Sequence, residues 1–247
     1  FGINSAQAAD LGNHSLTSNN ATPGNGIEVA TVAAAGSAAN NVTTQTLTII
    51  GSEGSQTASV VAGNSAAIIA DKVNAISADT GVTATAKTTA TLSNLTANGT
   101  VSFNLQGTNT TPTAISATVL STDLTNLVTA LNEQAGNTGI TATLSADKAS
   151  ITLEQASGAD IKIDTMLNTG LATMTLTGSE AGGQVLGANP DTDSSTVGGE
   201  VFFSSASSFN VTSSVAADAG SLFSTAALAA NTSDLSSIDE VDITSVT

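Results

Sequence analysis

The chain has 247 residues, with 20 acidic side chains against four lysines and a net charge of −16. That balance repels phosphate backbones and anionic lipid and offers no guanidinium for bidentate contacts, which excludes nucleic acid as a partner. With no Cys, no Trp, no Tyr and only six Phe, disulfide and thiol chemistry are excluded as well, and any core has to be closed by Val, Ile, Leu and Ala.

The abundance of Ser and Thr predicts an α+β fold that is predominantly β, with several small cores rather than one large one. No window approaches 18 consecutive apolar residues, so no membrane span is expected. The opening FGINSAQAAD lacks the basic and apolar regions of a secretory signal, and a start without Met reads as that of a fragment.

In chain order, residues 1–22 are polar and turn-rich, and Pro23-Gly24-Asn25-Gly26 marks a boundary before a strand-like run from Ile27 to Val32. A first module then reads as strand (Thr46 to Ile50), turn (Gly51 to Gly54), strand (Thr57 to Val61), helix, strand (Val82 to Ala86) and a last strand around Ala90 to Leu95. The helix rests on the stripe Ile69, Val73 and Ile76, with Asn64 or Ser65 as its cap and Gly81 beyond it.

The segment from Ser65 through Ala86 recurs as Asp123 through Leu144, with Val73 falling on Leu131, Asn74 on Asn132 and Thr80-Gly81-Val82-Thr83-Ala84-Thr85 on Thr138-Gly139-Ile140-Thr141-Ala142-Thr143. A unit used twice without gaps is a supersecondary module. The second copy opens on Thr100 to Leu105, whose alternation puts Val101, Phe103 and Leu105 on a covered face. Its helix has the stripe Leu124, Leu127, Val128 and Leu131, a cap at Ser121 or Thr122, Asp123 at the positive end of the dipole and Gly136 as a stop. Strands at Ala149 to Leu153 and Asp160 to Ile163 complete it. A loop from Gly178 to Gly199 follows, and strand-like texture resumes at Glu200 to Phe203, Ser208 to Val211 and Ser236 to Ile243.

The expected architecture is two tandem ββαββ modules, 46–97 and 98–168, inserted in a small discontinuous β-rich domain of residues 23–45 and 170–235. Residues 1–22 and 236–247 form the connections on either side.

Chemistry-bearing groups are scarce. His14 is the lone histidine, and Ser15 beside it does not make a nucleophile pair, because neighbours on an extended chain point apart and no G-x-S-x-G elbow is present. A single His cannot supply H-E-x-x-H, and no phosphate-binding loop occurs. Asp191-Thr192-Asp193 hints at a calcium loop, but Thr196 stands where its Gly belongs and Phe202 where its bidentate acid belongs, so an exposed acidic turn is expected. Asp160 with Asp164, or Asp239 with Asp242, have the spacing of carboxylate pairs but lack the aromatic platforms on which glycosidases hold sugar. Lys72, Lys87, Lys148 and Lys162 are too dispersed for an anion site. No catalytic, cofactor-binding or metal residue, no cofactor and no small-molecule substrate is expected. Asn-x-Ser/Thr sequons carry little information in so Ser/Thr-rich a chain.

The repeat, with its Thr-Gly-Val/Ile-Thr-Ala-Thr core, resembles the module of the outer, variable domains of bacterial flagellins. The resemblance is carried by Val73 to Leu95 running into Asn98 to Phe103, by Leu127 to Leu153 continuing to Gly158 to Ile163, and by Val197 to Val201 with Ser236 to Asp239. Ser-Ser-Ile-Asp followed by Val-Asp-Ile looks like the lead into that family's C-terminal filament core, and FGINSAQAADLGN like the exit from its N-terminal core. The long heptad-patterned helices through which flagellins polymerise have no counterpart here. The resemblance implies a non-enzymatic, secreted structural protein: surface-exposed outer domains of a filament subunit, without the assembly core, whose partners are other copies of itself in a helical filament. It implies a role in filament surface, antigenicity, glycan display and lateral contact. A Thr-rich extracellular adhesin or phage-decoration binding module is the alternative reading.

Overall fold

The computed structural model describes residues 12–36, 38–169, 172–180 and 182–237. The chain is mostly β with few helices. Strand β1 (Gly12–Thr17) comes first. The first repeat copy runs β2 (Gln45–Ile50), β3 (Ser55–Val60), α1 (Ala66–Asn74), a single helical turn α2 (Ser77–Thr80) and β4 (Thr83–Ser93). The second runs β5 (Gly99–Gln106), β6 (Thr113–Val119), α3 (Thr125–Glu133), α4 (Ala135–Thr138) and β7 (Ile140–Leu144). After it come β8 (Ile151–Gln155), β9 (Ile161–Asn168), β10 (Met174–Gly178), β11 (Gln184–Leu186), β12 (Ser195–Val197), β13 (Glu200–Ser205), β14 (Asn210–Ser213), β15 (Asn231–Thr232) and β16 (Asp234–Ser237).

Three antiparallel sheets result. The largest runs β11-β10-β4-β13-β1-β16, with β8 joining β4 to β7; the others are β12-β9-β5-β6 and β15-β14-β2-β3. The strands expected at Val82 to Ala86 and Ala90 to Leu95 are one uninterrupted strand. Nothing in Lys87-Thr88-Thr89 breaks the pleat, and Ala84, Thr88, Ala90 and Leu92 keep to one buried face while Thr83 and Thr85 face outward.

The first half of β4 pairs with β13 from Thr83↔Ser204 to Lys87↔Glu200. Its second half pairs with β8 from Thr88↔Gln155 to Leu92↔Ile151, and with β10 from Ala90↔Gly178 to Ser93↔Thr175. The same strand thereby serves two cores. Ala84 belongs to a cluster with Leu47, Ile49, Ile69, Val73, Phe203 and Phe223; Ala90 and Leu92 belong to another with Phe103, Leu127, Leu131, Ile140, Ile163 and Met174. Each copy's hairpin and helix therefore close over strands from later in the chain.

The helices confirm the repeat in detail. Ser65 caps α1, its side chain accepting from Ile68 N. No side-chain hydrogen bond is made at the N-cap of α3, and there the Asp123 carboxylate, rather than Ser121 or Thr122, takes the N–H of Thr125. Gly136 does not stop the second copy's helix α3, which ends with Gln134 as its C-cap, but lies inside α4; Gly139 ends α4 at φ 70°, as Gly81 ends α2 at φ 72° in the first copy. A left-handed turn at that position favours glycine in both copies.

Asn74 and Asn132 hold each helix to its strand. Asn74 Nδ2 donates to Ala84 O and Asn74 Oδ1 accepts from Ala84 N, both at 2.8 Å; Asn132 makes the same pair with Ala142 at 2.9 and 2.8 Å. A primary amide carries a donor and an acceptor spaced like those of a peptide unit, so each Asn acts as one residue of an extra strand.

The run Ile27 to Val32 is not a strand. It is an irregular strap with Ile27, Val29 and Ala30 fully buried, placing Ile27 in one core and Ala30 in the other. The Gly178 to Gly199 stretch, expected as a loop, contains β11 and β12, and the polar opening of the chain contains the interior strand β1.

Removing one Asn clasp should be costly, because it strands both backbone groups of the clasped alanine. Asn132→Ala is expected to lower unfolding stability by roughly 1–3 kcal/mol, and Asn74→Ala by a similar amount, measured by urea denaturation.

Candidate functional site

Among the described residues, several of the groups with reactive potential are tied into local structure. His14 lies on β1 between β13 and β16, opposite Ser205 and Leu235, and is half-buried rather than part of an exposed loop. Its Nδ1 is 3.5 Å from Ser233 Oγ. Ser15 is opposite Ser204 and Asp234 on the same strand and is exposed.

Asp160 and Asp164 have different partners. Asp160 is buried and receives Asn40 Nδ2 at 2.9 and 3.1 Å on its two oxygens; burial pushes its carboxyl above the usual range, against the lowering effect of that amide. Asp164 accepts from Ser194 Oγ at 2.7 Å and from Thr165 Oγ1 at 3.1 Å. Asp239 and Asp242 lie outside the described residues.

In the acidic turn, Asp191 is exposed but Asp193 is buried, with Ser194 Oγ 2.6 Å from its Oδ1 and its own carbonyl accepting from Met166 N. It acts as a structural clasp between the turn and β9. No three His, Asp or Glu side chains among the described residues are placed to hold a metal ion.

The lysines are dispersed in space too. Lys87 pairs with Glu154 at 2.8 Å and Lys148 with Asp123 at 3.3 Å, all with substantially exposed side chains. Such solvent-screened pairs contribute little to stability. A shallow concavity of about 460 Å³ beside α3 is lined by Thr118, Leu120, Asp123, Thr125, Asn126 and Lys148. Its polar groups serve one another: besides the ion pair, Asn126 Nδ2 caps Thr118 O at 2.9 Å, and hydrogen bonds from Thr125 hold Asp123 below the usual carboxylate range.

The group with the most perturbed chemistry is Glu28. Ser18, following β1, donates through Oγ to Glu28 Oε1 and accepts Val201 N at 3.0 Å, while Oε2 has no hydrogen-bond partner among the described residues. Glu28 is fully buried, and desolvation, with smaller contributions from Glu200 and Glu180, pushes its carboxyl up to about 8 against the lowering effect of Ser18. Its backbone is equally confined. A Cβ on Gly178 would stand 1.7 Å from Glu28 O, and one on Gly26 would stand 1.6 Å from Asn20 O. Sequence reasoning passed over Glu28, although one acid inside Ile27-Glu28-Val29-Ala30, behind a Gly-rich turn, is a readable signal of a buried carboxyl.

No family model matches the chain, and no curated protein does. Among solved structures, the D2-D3 domains of the flagellar cap protein FliD from Escherichia coli align over 78% of this chain and 98% of that one, at 10% identity and a TM-score of 0.25. The D1-D2-D3 domains of FliD from Escherichia coli align over 80% of this chain and 56% of that one, at 10% identity and a TM-score of 0.24. At that level of superposition neither alignment carries an argument about this chain.

The folded chain keeps the Glu28 proton up to about pH 8, whereas an ordinary carboxyl gives it up near 4.5. Between those values the folded state binds more protons, so Glu28's contribution is fully present below 4.5 and is lost as pH rises to about 8. Unfolding free energy is expected to fall by up to roughly 1.4 kcal/mol per pH unit across that window. Glu28→Gln should remove most of this slope in denaturant titrations at pH 5, 6.5 and 8.

Proposed function

We propose that the chain is a surface-projecting part of a flagellar filament subunit, the outer domains of a flagellin, acting as a structural rather than a catalytic protein. The observation that carries the reading is the pairing of β1 with β16. Gly12 stands opposite Ser237 and His14 opposite Leu235, so the chain enters and leaves the sheet side by side at one point. That geometry suits a domain carried on a longer protein, because it needs only two adjacent attachment strands.

The two ββα units, each tied by its Asn clasp, extend the body with strands whose outward faces are rich in Thr and Ser. With the net charge of −16, such faces suit a protein displayed at high local density. Among the described residues, the Ser/Thr hydroxyls, acids and lysines offer no convergent set for bond-making chemistry, which supports a non-enzymatic role. In this reading the partners are further copies of the subunit in an extracellular filament, and the exposed surface sets its antigenicity.

Immunogold electron microscopy of source cells, with antibody raised against residues 12–237, tests it. Gold is expected along the whole length of the flagellar filament. Gold confined to the filament tip, to the cell wall or to virus particles would overturn the proposal.

A further inference from the structure

The strap of residues 26–34 is the strongest unexplained feature of the molecule. It has almost no regular structure, yet its apolar side chains are divided between the two cores, Ile27 in one and Ala30 in the other, with Glu28 between them. Backbone bonds fasten it along β12: Gly198 N donates to Ile27 O at 3.0 Å, Thr31 N to Thr196 O at 2.9 Å and Ala34 N to Ser194 O at 3.1 Å. Asn41 Nδ2 adds bonds to Gly26 O and Val29 O, both at 3.0 Å.

This fastening surrounds a carboxyl that is buried and half-satisfied. Ser18 serves Oε1, and Oε2 has no partner among the described residues. A neutral carboxyl tolerates that surrounding; a carboxylate with one hydrogen bond in an apolar junction does not. The charged groups facing it are both acids, Glu200 at the start of β13 and Glu180 after β10. The nearest lysine in register, Lys87 opposite Glu200, is engaged by Glu154. No cation therefore offsets a charge at Glu28.

We propose that residues 26–34 form a latch between the two cores, closed while Glu28 carries its proton and released when the proton is lost. Release is local. The strap lifts from β12, breaking the bonds of Thr31, Ala34 and Gly198, while the β4 ladders that carry the two cores stay paired. The latch couples the cores at neutral and mildly acidic pH and uncouples them in alkaline surroundings. Asp160, the other buried acid, receives Asn40 in both oxygens and lies beyond the strap, so it is a separate element.

Hydrogen exchange followed by mass spectrometry from pH 6.5 to 9.5, corrected for the base-catalysed intrinsic rate, tests the latch on the whole chain. Protection of peptides covering residues 26–34 and 195–198 is expected to fall about tenfold per pH unit as pH rises towards 8, as one proton governs opening, and to level off above 8. Protection within β4 and β8 is expected to stay constant, and Glu28→Gln to hold the strap protected throughout. Strap protection that is constant with pH, or that falls together with β4 and β8, would overturn the latch. Should Glu28→Gln fail to fold, the wild-type Glu28 carboxyl carbon resonance gives the second readout. A titration midpoint matching strap opening supports the latch, and a midpoint in the ordinary carboxylate range with the strap still closed overturns it.

Discussion

The structure depends on one strand remaining a strand for eleven residues. Without Trp or Tyr, each core is assembled mostly from aliphatic side chains, with Phe103 in one and Phe203, Phe209 and Phe223 in the other. β4 joins the two. Its buried face runs without a register change from Ala84 in one core to Ala90 and Leu92 in the other, and ladders to β13, β8 and β10 hold it. An interruption at Lys87 to Thr89 would turn one half by a residue and move its apolar set to solvent.

The strap supplies a second link of a different kind. β4 is held by many ordinary backbone bonds, whereas the strap is held by close approach: Gly26 fits against the Asn20 carbonyl and Gly178 against that of Glu28, where a methyl group has no room. Packing of this sort is sensitive to small displacements, which gives a single buried proton leverage over it. The two links thus differ in character, one distributed and one concentrated at a few atoms.

Much of this organisation can be read in the chain before any coordinates are consulted. The repeat, both helices, the covered Val101, Phe103 and Leu105 and the predominance of β follow from patterns that local forces impose, and Asn74 aligned on Asn132 marks a clasp present in both copies. The parts that escape such reading depend on distant contacts. β1 is a short polar segment that becomes a strand because β13 and β16 lie on either side of it. β11 and β12 are three residues each, too short for alternation to show. The run at Ile27 to Val32 has the composition of a strand, but its groups bond to Thr196 and Gly198 in an irregular path confined by the closeness of Gly26, Gly178 and Gly198. Asp193 reads as a solvent-facing acid until β9 is seen packed over it.

The side-by-side arrangement of β1 and β16 also determines how the molecule responds to mechanical load. Force drawing Gly12 and Ser237 apart acts across the ladder between them, so its bonds meet the load one after another, starting at the Gly12↔Ser237 pair. Among the described residues β16 has β1 as its only neighbour in the sheet and peels away first, while β1 is still gripped by β13 through His14↔Ser205 to Thr17↔Phe202. Tension along a parent chain would therefore open this attachment before it reached either core. Drag on the body as a whole is shared by two strands side by side, so the fold behaves as a pendant hung beside the path of force rather than as a link within it.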